Sequence, residues 1–252
     1  MSGKNAEYEK IWDEVYGHDR DPIRMNVIYP LLEVEFTKLT GKKILDLGCG
    51  NGSLIRQIQK YNYKSICGID QSGEFLKTAK KNIDCRDTKL VQSNILEKLP
   101  FENDSFDSVF AIFVINELPL LYNMFCEINR VLAQEGCFYI VMTHPFLLLR
   151  NFLFEKFTGK KNEKFIGNLN YKNKKPMKYI LSTAEVSTPF FQYTFEDIIN
   201  VVNNTKMEIN KLKEIDTSSD LLKEHLKYQA EKNVPKYLYL KLTKKISVDH
   251  KL

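Results

Sequence analysis

Lys42-Lys43-Ile44-Leu45-Asp46-Leu47-Gly48-Cys49-Gly50-Asn51-Gly52-Ser53 is the stretch on which the reading of this chain turns. It begins as a short apolar run, the pattern of a buried strand. It then breaks into glycines at 48, 50 and 52. Beyond them, Leu54, Ile55 and Ile58 fall on one helical face of the segment 53–60. Strand, glycine loop and helix in that order make a nucleotide-type site. Glycines let the backbone approach a ligand closely and tolerate positive φ, and a helix start presents N–H groups that lack partners. The dinucleotide fingerprint is Gly-x-Gly-x-x-Gly. Here the third glycine comes one residue early, which disfavours a nicotinamide dinucleotide.

The same alternation continues outward. Strands are predicted at 65–70, 88–92, 106–112 and 137–142, with helices at 52–61, 73–82 and 120–132 between them. Strands alternating with helices imply an α/β fold with a parallel sheet under two helical layers. Such sheets bind ligands at the carboxyl ends of their strands. Gly48, Asp70, Asn94, Ala111 and Thr143 all stand at those ends.

Before this core, Tyr8, Ile11, Trp12, Val15 and Tyr16 recur at helical spacing over 5–17. Asp21-Pro22 then reads as a cap and first turn of a helix running to about Thr40, with a kink at Pro30. After the core, 159–190 is rich in Lys, Asn, Gly and aromatic residues, and reads as an inserted hairpin or flap. Thr194-Phe195-Glu196-Asp197 has the form of a capping box opening a helix. Strands at 207–215 and 236–243, with a helix at 219–232 between them, complete the sheet. The expected organisation is a single domain over 1–252: a helical cap (1–41), a binding core (42–143), a flap (144–193) and a closing segment (194–252).

Composition narrows the classes. The 252 residues are 43% hydrophobic, ample for one core. No stretch approaches the roughly 20 apolar residues of a membrane helix, and the N-terminus is polar, so a cytoplasmic location is expected. The five cysteines are spread out, with no Cys-x-x-Cys pair, which disfavours disulfides and bound metal. The net charge of +5 comes from scattered lysines. The densest runs, 160–164 and 172–175, read as a solvated loop, and nucleic acid is not the expected partner.

The stretch 42–53 resembles the first motif of class I S-adenosylmethionine-dependent methyltransferases, an apolar triplet followed by Asp-Leu-Gly-Cys-Gly-x-Gly. Leu99-Pro100-Phe101, Ser105-Phe106-Asp107 and Asn129-Arg130-Val131-Leu132 with Gly136 are similar to later stretches of that family. Ala133-Gln134-Glu135 departs from its usual Lys-Pro-Gly. The likeness covers about 42–143. It implies a Rossmann-like, seven-stranded, mostly parallel sheet flanked by helices, with an N-terminal helical lid and a flap after the fifth strand. It also implies S-adenosyl-L-methionine as cofactor. The loop Gly48-Cys49-Gly50-Asn51-Gly52 would lie against the methionine end, with Asp46 supporting the loop. Asp70 would accept hydrogen bonds from both ribose hydroxyls. Gln71 would pack beside the adenine. Asn94 stands where the family often has Asp, and the backbones of Ser93 and Ile95 would serve the adenine. Ala111 would close the rim, and Tyr16 would contact the cofactor from the lid.

Methyl transfer chiefly requires alignment and exclusion of water. A base helps where the nucleophile is protonated. His144 and His18 are the candidate catalytic residues, with Glu117 a third possible base. The expected acceptor is a small or peptide-like molecule methylated at N or O. The family's His-Arg pair is absent at Gln192-Tyr193, which leaves the acceptor class open. RNA or protein substrates, or an inactive cofactor-binding partner, remain as alternatives.

Overall fold

The computed structural model describes residues 10–13, 17, 20–147, 165–166, 176–180, 187–216 and 234–245. Five parallel strands form the body of the sheet: β1 (Lys43–Leu47), β2 (Ser65–Asp70), β3 (Thr88–Gln92), β4 (Phe106–Ile112) and β5 (Leu132–Thr143). With β9 (Met207–Ile215) and β10 (Tyr237–Lys244), they form a seven-stranded sheet in the order β3-β2-β1-β4-β5-β10-β9. β10 runs antiparallel to both of its neighbours. The chain reverses its direction of growth between β1 and β4, the place where open α/β sheets bind ligands.

Helices α1 (Tyr29–Phe36) and α2 (Ser53–Ile58) cover one face, and α4 (Tyr122–Val131) and α5 (Phe195–Asn204) cover the other. The two-residue period of the strands sorts the core accordingly. Ile44, Phe110, Ile112, Tyr139 and Val141 pack with α1 and α2, while Leu45, Leu47, Val109, Ala111, Phe138 and Ile140 pack with α4 and α5. Phe110 and Tyr139 stack at 4.6 Å on the first face. Helix α3 (Gly73–Asn82) is capped by Ser72, whose hydroxyl accepts from the Phe75 N–H. The capping box forms at α5, with Thr194 and Asp197 bonded reciprocally.

Two elements differ from expectation. Instead of a simple kink at Pro30, a π-helical turn over Arg24–Ile28 runs directly into α1. Proline has no N–H, and its ring crowds the carbonyl four residues back, so the widened turn accommodates it without breaking the helix. β5 starts at Leu132, directly after α4, and absorbs the expected turn at Glu135-Gly136 by a register shift against β4 between Phe106 and Ser108.

In the flap, β6 (Phe165–Ile166), β7 (Met177–Ile180) and β8 (Ser187–Phe190) form a separate antiparallel sheet. Lys10–Asp13, within the helix expected over 5–17, are helical. Tyr16, His18 and the predicted helix 219–232 lie outside the described residues. No helix among the described residues is long and apolar enough to cross a membrane.

Candidate active site

The site is built on the carboxyl edge of β1, β2 and β4. β1 ends in Asp46 and Leu47 and turns at Gly48, whose N–H, together with that of Cys49, donates to the Ile69 carbonyl on β2. Gly48 has φ +71, and a Cβ there would meet Val114 Cγ2 at 2.6 Å, so no other residue fits. Gly50 has φ +52, but a Cβ there would meet nothing within 4 Å. Its glycine is required for the backbone conformation, and the space it faces is clear for a ligand.

Asp70 ends β2 and ties the loop down: Oδ2 accepts from the Gly50 N–H and Oδ1 from the Ser72 N–H, each at 2.9 Å. These bonds hold the carboxylate fixed at the rim. Asp46, by contrast, is 2% exposed, and its Oδ2 has no hydrogen-bond partner among the described residues. Burial, followed by the charge of Asp70, pushes its carboxyl up to about 8 from the ordinary 3.8, while Arg24 pulls it down. Asn51 is also buried; its Nδ2 donates to Asp13 at 2.8 Å, and its Oδ1 has no partner. Two buried side-chain oxygens, one near the end of β1 and one in the loop that follows, lack donors among the described residues and fit a ligand that brings N–H groups of its own. The methionyl ammonium of S-adenosylmethionine is such a group. Cys49 is buried, and burial raises its thiol well above the usual value, so it is a neutral filler of the turn.

The N-terminal segment reaches over this loop. Asp21 caps its helix, accepting from the N–H groups of Ile23 and Arg24, and pairs with Arg24 Nη1 at 2.9 Å. The Arg24 guanidinium lies 5.0 Å from the Trp12 ring and 5.1 Å from the Phe113 ring. Trp12 in turn meets Phe75 of α3 edge-on at 5.6 Å. Tyr29 OH and Ser53 Oγ share a hydrogen bond at 2.8 Å. Arg24 and Asp13 were not reached by sequence reasoning as partners in the site. The charged turn around Asp21 was visible, but its pairing with the glycine loop is a tertiary contact.

On the acceptor side, the chain leaves β4 at Phe113, whose φ is +61. A bulky side chain in the left-handed region is strained. The conformation is held by the Phe113 N–H donating to the Val141 carbonyl and by edge-on contact with Tyr237 at 5.2 Å. Asn116 then joins three segments. Its Oδ1 accepts from Thr143 N–H at the end of β5, its Nδ2 donates to the Phe191 carbonyl, and its own carbonyl accepts from Phe191 N–H. Gln192 Nε2 donates to the Pro145 carbonyl, and Tyr193 OH donates to the Leu118 carbonyl.

The remaining predicted residues fall as follows. Ser93 donates its N–H to the Asp70 carbonyl, beside the rim. Gln71 is exposed, and Ile95 is buried in the core next to the loop. The side chain of Asn94 is turned into its own loop, donating to Glu97 and accepting from the Leu96 N–H. Ala111 is fully buried beneath the rim, and the residue that β4 presents at the edge is Phe113. His144 has both ring nitrogens engaged: Nδ1 accepts from the Phe146 N–H, which leaves the proton on Nε2 to be donated to Glu214 at 2.9 Å. Its side chain is fully buried. Placed so, it braces β5 against β9 and flanks the acceptor side without an open nitrogen.

A family model described as a methyltransferase domain matches residues 45–140. Malonyl-[acyl-carrier protein] O-methyltransferase of Legionella pneumophila is 34% identical over 113 residues, 44% of this chain and 40% of the relative. A sterol 24-C-methyltransferase of Gibberella zeae is 36% identical over 102 residues, 39% of this chain and 27% of the relative. The chain thus matches less than half the length of these curated relatives. The solved structure of the PH0226 protein from Pyrococcus horikoshii superposes with a TM-score of 0.71 at 20% identity, covering 96% of this chain and 100% of that one, and shares its fold. The glycine loop and the acid at the end of β2 lie within the stretch the family model matches: residues 45–140 of this chain match a methyltransferase domain, and the sheet has the fold of S-adenosylmethionine-dependent methyltransferases of known structure.

Proposed function

We propose that the protein transfers the methyl group of S-adenosylmethionine to a nitrogen or oxygen atom of a small or peptide-like acceptor, in the cytoplasm. The observation that carries the donor half is the pair of buried, unpartnered acceptor oxygens on Asp46 and Asn51, beside the open face of Gly50. When bound, the cofactor supplies an electrophilic methyl group on a sulfonium. Asp70 holds the ribose hydroxyls, Asp46 and Asn51 take the ammonium, and Arg24 presents the cation that a methionyl carboxylate needs.

The acceptor half is argued from Phe113, Phe191 and Tyr237. Phe113 packs on Tyr237, and Asn116 fastens the backbone of Phe191 to the turn that follows Phe113. Aromatic walls of this kind exclude water and grip a compact apolar or cationic acceptor. The acceptors named for the relatives, an acyl-carrier-bound malonyl group and a sterol carbon, mark two other chemistries for the same fold. The test is a release assay for S-adenosylhomocysteine against panels of amines, carboxylic acids, peptides, an acyl carrier protein, sterols and RNA. Turnover with amines, acids or peptides is expected. Turnover confined to RNA, with affinity falling steeply as salt rises, or confined to sterols would overturn the acceptor assignment.

A further inference from the structure

The two acids of the donor site are held in opposite ways. Asp70 spends its charge on two backbone N–H groups. Asp46 is 2% exposed, and its Oδ2 accepts from nothing. The titratable groups that act on it come from every element around it: Asp70 and Cys67 on β2, Cys49 in the loop, Arg24 in the π-helical turn and Tyr29 on α1. Burial raises Cys49, Cys67 and Tyr29, so these three are neutral near neutral pH. Arg24 is the one cation among these groups, and it is already paired with Asp21. An ionised Asp46 would therefore be a buried charge facing a second negative charge, Asp70, with its nearest cation already paired with Asp21. Such a group either keeps its proton or has the proton replaced by a cation from outside.

We propose that Asp46 carries a proton in the ligand-free protein and releases it as the methionyl ammonium of the cofactor takes its place, so that seating the cofactor is a proton exchange at one carboxyl. The Asp46 O–H bond breaks, its proton passes to solvent, and an ammonium N–H donates to the carboxylate that remains. The direction in which Asp46 is shifted, upward through burial and then through Asp70, agrees with the geometry. The inference rests on reading 42–52 as the donor site. It makes cofactor affinity rise about tenfold per pH unit below about pH 8 and level off above it.

Isothermal calorimetry near neutral pH, in buffers of differing ionisation enthalpy, tests the exchange. S-adenosylhomocysteine carries the ammonium, and methylthioadenosine carries the same nucleoside without it. Wild-type protein should release about one proton on binding the first and none on binding the second. Asp46→Asn should bind S-adenosylhomocysteine with no proton release and with an affinity independent of pH. Binding of S-adenosylhomocysteine without proton release by the wild type, or release that persists in Asp46→Asn, would overturn the proposal while leaving the donor site in place. Absence of binding by either nucleoside would overturn the donor-site reading and the proposal together.

Discussion

Asp46 and Glu35 are both buried carboxylates on the α1 side of the sheet, and the protein treats them differently. Glu35, on α1, is 4% exposed, but Lys241 and Lys38 approach it at 3.1 and 3.3 Å, and Tyr139 donates to it. Burial pushes Glu35 up, but these partners outweigh burial and hold it below the usual carboxylate range. Asp46 has neither cation nor donor on Oδ2, and it is raised to about 8. A carboxylate whose partners are supplied by the fold serves stability. One whose partner is missing marks the place where a partner from outside is due.

The comparison can be broken at four points. The largest effect belongs to Glu35→Ala. It strands Lys241, whose side chain is 21% exposed, and should cost about 3 kcal/mol in a denaturant melt while leaving cofactor affinity unchanged. Because Glu35 is lowered, its contribution is complete above its ordinary value of 4.5 and disappears as pH falls through the native value, so variant and wild type should converge in acid. A loss of cofactor binding here would erase the distinction between the two acids.

Asp70→Ala comes next. It removes the acceptor for the Gly50 and Ser72 N–H groups along with the ribose contact. Affinity measured by calorimetry should fall more than tenfold, about 1.5–3 kcal/mol; unchanged affinity would remove Asp70 from the site. Asp46→Asn should act in the opposite sense on the free protein. A raised carboxyl destabilises the fold as pH climbs from its ordinary 3.8 towards about 8, so the variant should be the more stable of the two near pH 8 and lose that slope, read as thermal midpoint against pH. A variant less stable than wild type at every pH would mean that Asp46 is paired in solution. The smallest effect should come from His144→Ala on the donor side: cofactor affinity should change by less than about twofold, because both ring nitrogens are spent on Phe146 and Glu214. A much larger change would tie His144 to the donor half.

What the sequence revealed follows the same division. Strands β2, β4 and β9 were legible to the residue, because a short run of strand-forming residues bounded by turns is a local signal. The glycine loop and Asp70 were legible because their spacing along the chain is itself the chemistry. Arg24 was not, because its rings, Trp12 and Phe113, come from opposite sides of it in the sequence. Nor was the setting of His144, whose partner Glu214 lies 70 residues away. The setting of Asn94, whose amide closes its own loop, was not legible either. Positions defined by fixed spacing can be read along a chain; positions defined by who arrives from elsewhere cannot.

Asn116 has a consequence for how such a protein diversifies. Its side chain and carbonyl pin the start of the segment after β8 to the end of β5, and Gln192 adds a tie to Pro145. None of these bonds involves the glycine loop or Asp70. The flap is thus stitched to the core at a seam that leaves the donor machinery alone. Exchanging the segment between Thr143 and Thr194 for another of similar span, with the seam residues kept, would leave the bonds of the glycine loop and Asp70 untouched.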